Sequence, residues 1–334
     1  FSIARSLDTR IVKLGLGENG FGQLLYADSI ETGSGDLLLA FQTSAYDGPW
    51  VGIEEDLSKN NAVIRYSQST PGEGEWDIML MAYDASWNSA DQIPSRAVES
   101  GLVDRLGTID DSVGGDTSRY SISGGWHRDF DDRQLSIQAY AIRYELDLFS
   151  NFTYFLEDPV RGDQFEQLDK RNIYGANVLW QVNASDRTVH RYGANLRFDR
   201  IGDVGLFSSE SRTRLDVTRR DKVNQASGGL FYDIEHAWND RWRAILGVRA
   251  DYYSFDVKES NIEANTGTSD DFLVSPKLNI VRTISDTTEA YFSAGTGFHS
   301  NDARGTVINI DPVSYTHLRA HETSLPISYA VFCL

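Results

Sequence analysis

Apolar and polar residues alternate with period two along most of this chain, and helical spacing is scarce. In residues 241–255 one series runs Trp242, Ala244, Leu246, Val248, Ala250 and Tyr252, and the other runs Arg243, Ile245, Gly247, Arg249 and Asp251. From Trp242 to Tyr252 the chain extends about 33 Å at ~3.3 Å per residue. Tilted by about 40°, that covers roughly 25 Å of a membrane normal, the height of the apolar band on a membrane β-barrel, with an aromatic residue at each rim.

Neighbouring stretches repeat the scheme. Tyr192, Ala194, Leu196 and Phe198 alternate with Arg191, Gly193, Asn195, Arg197 and Asp199. Tyr174, Ala176, Val178 and Trp180 form another apolar series, as do Leu230, Tyr232, Ile234 and Trp238. In the stretch Tyr140–Leu148 the apolar series is Tyr140, Ile142, Tyr144, Leu146 and Leu148, which assigns Arg143 and Glu145 to the polar side. A soluble sandwich strand also alternates. Opposite its core, however, it seldom carries both signs of charge and glycine over such a length, whereas a water-filled lumen does. The polar face is therefore read as a lumen wall built from Arg143, Glu145, Arg197, Asp199, Arg249 and Asp251.

Thirteen strands are predicted, near 4–16, 20–31, 36–47, 60–70, 74–87, 116–129, 132–148, 171–184, 188–200, 222–238, 241–257, 271–283 and 287–298. Short polar turns fall at Thr32–Gly35, Pro71–Gly74, Asp129–Asp132, Ser185–Arg187, Asn239–Asp240 and Ser285–Asp286. Long connections at 48–59, 88–115, 149–170, 201–221 and 258–270 alternate with them, as in an outer-membrane barrel with its long loops outside the cell. The fold expected is an all-β, antiparallel transmembrane barrel. An odd strand number does not close a bacterial single-chain barrel, and Phe1–Arg5 reads like the inside of a folded region, so the expectation is an incomplete barrel from a longer chain.

Composition narrows the class. The chain has 334 residues, 28 Gly, 7 Pro and 12% aromatics, and no apolar run long enough for a helical span. A net charge of −18, with no basic face apparent, argues against nucleic acid as a partner. The single cysteine, Cys333, excludes a disulfide framework and a Cys-ligated zinc site.

Local motifs add little chemistry. Gly15–Gly20 matches G-x-G-x-x-G, but a strand-like stretch follows where a dinucleotide site needs a helix, and a glycine-rich hairpin tip accounts for the residues. Asp104, Asp110, Asp111 and Asp116 could seat Ca²⁺, yet fit no EF-hand spacing and read as a solvated acidic loop. The histidines at 127, 190, 236 and 299 scatter, so no enzyme and no cofactor is expected. The long connections are acidic, with 47–59, 88–115, 149–170 and 258–271 each net −3, except 200–222, which is net +2. Such mouths disfavour polyanions and permit cationic or neutral ligands, metal chelates included.

Several stretches resemble the β-barrel domain of TonB-dependent outer-membrane receptors. They are Asp47–Trp50, Asp91–Ala97, Gly107–Asp110 running into Gly114–Tyr120, Leu148–Leu156, Gly162–Gln167 and, most specifically, Glu289–Gly305. The resemblance implies a barrel of 22 strands, of which about 13 lie in residues 1–311. It also implies a plug, and a TonB-engaging segment, that lie outside this sequence. It implies active import of a small molecule or chelate, with the TonB complex and outer-membrane lipid as partners; a diffusion porin and a soluble β-rich binding module remain alternatives. Ligand contacts are expected from the loops, with Arg96, Arg119, Tyr154, Gln164, His299, Asn301 and Arg304 as candidates. From Val313 the alternation stops, and Val313–Thr323 resembles translated adapter sequence. Residues 312–334 are accordingly expected to be a non-native tail, and its His317 and His321 a chance pair rather than a metal site.

Overall fold

The computed structural model of the chain describes residues 3–72, 74–298 and 302–310. Among these residues thirteen strands form one antiparallel sheet in which each pairs with its sequence neighbours. They are β1 Ile11–Leu16, β2 Gly22–Thr32, β3 Gly35–Tyr46, β4 Leu57–Thr70, β5 Gly74–Asn88, β6 Gly114–Asp129 and β7 Arg133–Ser150. The rest are β8 Phe165–Ser185, β9 Thr188–Glu210, β10 Thr213–Asn239, β11 Trp242–Ser260, β12 Gly267–Ser285 and β13 Thr288–Gly295. Antiparallel neighbours joined by tight turns satisfy each other's backbone groups, which a bilayer interior requires.

The register fixes the strand tilt. Tyr26, Phe41, Ala62, Ala82, Tyr120, Arg143, Asn172, Arg200, Asn224, Asp256 and Thr268 are partners in a single row from β2 to β12. Tyr26 lies six residues from the turn end of its strand at Thr32, and Thr268 lies seventeen from Ser285. The row thus climbs eleven residues over ten strand-to-strand steps. At ~3.3 Å per residue and ~4.8 Å between strands that is a tilt of about 37°, within the range of membrane barrels. The row also changes character as it climbs, from aromatic on β2 and β3 to Arg, Asn and Asp from β7 onward.

The two faces separate as expected on β8 to β11. Leu196 (62% exposed), Leu246, Val248 and Tyr252 stand on the outward face with Trp180, Phe198 and Trp242, while Asp199 and Asp251 on the opposite face are 2% exposed. β7 is in the other phase. Trp126 pairs with Ile137 and Tyr120 with Arg143, so Leu135, Ile137, Ala139 and Ala141 face lipid. Arg143 and Glu145 follow on that same outward face, not in the lumen. The physical reason is height: Arg143 lies ten residues above the start of β7, about 26 Å up the normal, where outward positions have left the hydrocarbon. Tyr140 is inward because it lies across Gly175, whose missing side chain makes room for the ring. Phe231 lies across Gly193 in the same way.

The ends of some strands also differ. Residues 4–10, expected in the first strand, precede β1. The stretch 201–221, expected as a loop, is the outer half of a β9–β10 hairpin whose tip is only Ser211–Arg212. Gly17–Phe21 forms the hairpin tip between β1 and β2, with Asn19 and Gly20 at positive φ. The tail 312–334 lies outside the described residues.

Gly193→Ala should lower the temperature at which the barrel loses its compact migration on a gel, by the equivalent of about 1–3 kcal/mol, because the new methyl meets the Phe231 ring. Gly22→Ala, with nothing within 4 Å of the added carbon, should leave that temperature unchanged.

Candidate functional site

Three connections close over the end of the sheet opposite the short turns. They are 89–113, which contains helix α1 (Ser95–Glu99), 151–164, and the tip of the β9–β10 hairpin. Ser211 and Arg212 both adopt positive φ, the geometry of a two-residue hairpin turn, without glycine. What holds Arg212 there is its hydrogen bonding. Its guanidinium donates to the Ser112 carbonyl (2.6 Å), the Val113 carbonyl (3.0 Å) and Asn88 Oδ1 (2.8 Å). Its backbone N–H donates to Gln164 Oε1 (2.9 Å), which also accepts from Ser209 Oγ (3.0 Å). The other end of the Gln164 amide donates to Asp110 Oδ2 (3.0 Å) and Ser112 Oγ (2.6 Å).

Asn151 extends this lock. Its backbone N–H donates to Asp91 Oδ2 (2.7 Å), its Nδ2 donates to Asp110 Oδ2 (2.8 Å), and its Oδ1 accepts from the Tyr154 N–H (2.8 Å). The Tyr154 hydroxyl then donates to the Gln92 carbonyl (2.9 Å). Burial, with Asp91 and Asp110 nearby, pushes the Tyr154 hydroxyl up to about 12, so it stays protonated and a donor. Burial works against the Asp110 charge, but hydrogen bonds from Asn151, Ser112 and Gln164 outweigh it and hold the carboxyl below the ordinary range. Among the described residues no group of three His, Cys, Asp or Glu is placed to hold a metal ion.

Below this rim the lumen wall carries paired charges. Arg197 donates twice to Asp199 (2.7 and 2.8 Å), Arg219 to Asp221 (2.6 Å) and Arg249 to Asp251 (2.7 Å), while Arg171 pairs with Asp169. Each pair is two residues apart on one strand, the spacing that puts both side chains on one face. A depression of about 290 Å³ is lined there by Arg197, Asp199, Gln225, Ser227, Tyr253 and Asp302. The chain beyond β13 returns onto this wall. Helix α2 (Ala303–Thr306) buries Ala303 against Ile201, Val204, Val223, Phe255 and Val257, and Asn265 clamps Asn309 and Ile310 by their backbone.

The expected site residues fall into different places. Tyr154 and Gln164 meet in the lock, with their polar atoms held by protein groups and only 4% and 3% of their surfaces exposed. Both side chains tie the rim connections to one another. Arg96 is exposed on α1 and Arg119 is exposed on the lumen-side row of β6. Arg304 is on α2, held by Asp302 (2.9 Å twice), and its carbonyl accepts from Arg219. His299 and Asn301 lie outside the described residues. The sequence reading missed Asp110, Asn151 and Arg212 as a unit; the Arg-x-Asp recurrence on three successive strands was the signal available for the wall.

One corner above the lipid band is sensitive to pH. Burial and the neighbouring Glu166 carboxyl push the Asp147 carboxyl up to about 6, and Arg214 lies against Glu166. The folded carboxyl holds its proton more tightly than an unfolded one, so this corner is supported in full below about pH 4 and loses that support as pH rises through about 6. Amide exchange in 145–149 and 164–168, corrected for intrinsic rates, should quicken between about pH 5 and about pH 7. Asp147→Asn should remove that dependence. Separately, Gln164→Leu should destabilise the rim by about 2–4 kcal/mol through unsatisfied Asp110 and Arg212 groups. Proteolytic nicking in 89–113 would report it.

A family model described as TonB dependent receptor-like, beta-barrel, matches residues 45–316. No curated protein matches the sequence. Among solved structures, the siderophore receptor PiuA from Acinetobacter baumannii is similar with a TM-score of 0.71 at 10% identity, covering 90% of this chain and 51% of that one. The copper transporter OprC gives 0.67 at 15% identity, covering 87% and 45%. The ferric yersiniabactin uptake receptor FyuA from Yersinia pestis gives 0.64 at 10% identity, covering 89% and 48%. The chain therefore spans about half the length of these structures, and at such identities they speak for the fold alone. Together with the family match over most of the chain, the tilted lipid-facing sheet and its charged inner wall identify the chain as a member of the TonB-dependent receptor β-barrel family.

Proposed function

We propose that these strands belong to a receptor that imports a scarce solute, such as a metal chelate, across the outer membrane of a Gram-negative bacterium with energy from the TonB complex. The observation that carries this is the inner wall. Its arginines and aspartates are already paired with one another, which suits contact with a hydrated plug rather than a bare channel whose unpaired charges set selectivity. Thirteen strands, with β1 and β13 each paired on one side only among the described residues, support a wide barrel, one too broad for its own side chains to fill. The copper and siderophore names of similar structures agree with a metal-containing cargo.

In this reading the outer loops capture the ligand. Arg96, Arg119, Arg304, His299 and Asn301 are the candidate contacts, while Tyr154 and Gln164 hold the rim that presents them. Residues 1–311 are the barrel portion and 312–334 are not part of the receptor. Among the described residues β1 and β13 leave two edges unpaired, which hydrocarbon does not tolerate, so transport requires partners for both edges.

The test is solute uptake by the full-length receptor in cells lacking their own receptors, with and without TonB. Uptake that depends on TonB and saturates is expected; uptake indifferent to TonB and proportional to outside concentration would establish the open channel instead.

A further inference from the structure

The lipid-facing wall carries a basic notch at the upper edge of its apolar band. It is lined by Arg143 and Glu145 of β7, Lys170, Arg171 and Asn172 of β8, and Arg200, Gly202 and Asp203 of β9, and measures about 490 Å³. A β-bulge opens it: Arg171 pairs with Ile201 and Lys170 with Asp203, leaving Gly202 without a partner. Gly202 adds no side chain to the gap, and a carbon built there would meet only the Lys170 carbonyl, at 3.9 Å. Glu145 is engaged by Arg143 (2.6 Å) and Asp203 by Arg220 (2.6 Å). Among the described residues Lys170 and Arg200 have no ion-pair partner and are exposed. In a chain of net charge −18 the notch is therefore locally positive.

Directly below it on the same wall is an apolar depression of about 490 Å³, lined by Ala62, Leu80, Ala82, Tyr120, Ala141 and Tyr174. Arg143 and Asn172 belong to both. A hydrocarbon-sized trough joined end to end with a cationic notch, at the height where hydrocarbon gives way to headgroups, has the shape of one amphipathic anion. We propose that this wall binds a phosphate-bearing lipid of the outer leaflet, with a phosphate between Lys170 and Arg200 and an acyl chain in the trough beneath. The notch opens toward lipid and not into the lumen, so this site is separate from solute capture and does not depend on the import reading.

The experiment uses the full-length receptor in phosphatidylcholine bilayers with and without added lipid A, followed by native mass spectrometry of retained lipid. The unaltered protein should retain lipid A in preference to phosphatidylcholine. The double variant Lys170→Gln/Arg200→Gln should retain about tenfold less or lower still, as expected for two bases lost at a lipid surface. Gly202→Phe, which fills the notch without removing charge, should have a similar effect while heat-modifiable migration stays normal. Equal retention by all three proteins would overturn the proposal. Complete displacement of lipid A by inorganic phosphate would overturn it too, since that describes a free-anion site with no use for the trough.

Discussion

Hydrocarbon offers no partner to a backbone N–H or C=O, and everything else in this molecule follows from that constraint. The strands must pair with their neighbours throughout the bilayer, and they do so at a stagger of about one residue per strand. That stagger is the tilt. It makes one hydrogen-bonded row run obliquely through the membrane, beginning among aromatic residues and leaving the lipid near Arg143. A residue's surroundings are thus set by two coordinates, its face and its height, and the pleat fixes only the first.

This explains which parts of the fold were legible in the sequence. Between Trp242 and Tyr252, or Tyr192 and Phe198, the outward face meets a single solvent along its whole length, so composition reports it faithfully. On β7 the lipid stretch is short and partly alanine, while Tyr140 and Tyr144 are apolar for another reason, as Tyr140's cover over Gly175 shows. Pattern alone therefore chose the wrong phase. Above the bilayer both faces meet water, and alternation vanishes although the strands continue. The outer half of the β9–β10 hairpin reads as a charged loop for that reason, and its turn lacks the glycine that ordinarily betrays one.

The rim was less legible still. Asn88 and Arg212 are 124 positions apart, and Gln164 meets Asp110 across 54. Nothing local marks these residues, because each is an ordinary polar side chain until the sheet brings the loop bases together. The lumen wall is the opposite case. Its Arg-x-Asp pairs are local, and their meaning depends only on knowing that two-residue spacing shares a face. The acidic stretch around Asp110 also changes meaning once folded, from solvated charge to the acceptor at the centre of a network.

The β9–β10 hairpin has a mechanical consequence. Ten residues of β9 separate Arg200 at the lipid edge from Glu210 at the tip, so the hairpin stands about 26 Å clear of the apolar band. It is a mast: two hydrogen-bonded strands with a rigid crown, stayed at the top by Arg212 to loop 89–113 and by Gln164 to loop 151–164. At its foot the same strands form the wall against which α2 packs. The outermost surface and the inner wall are in this way two ends of one continuous pair of strands.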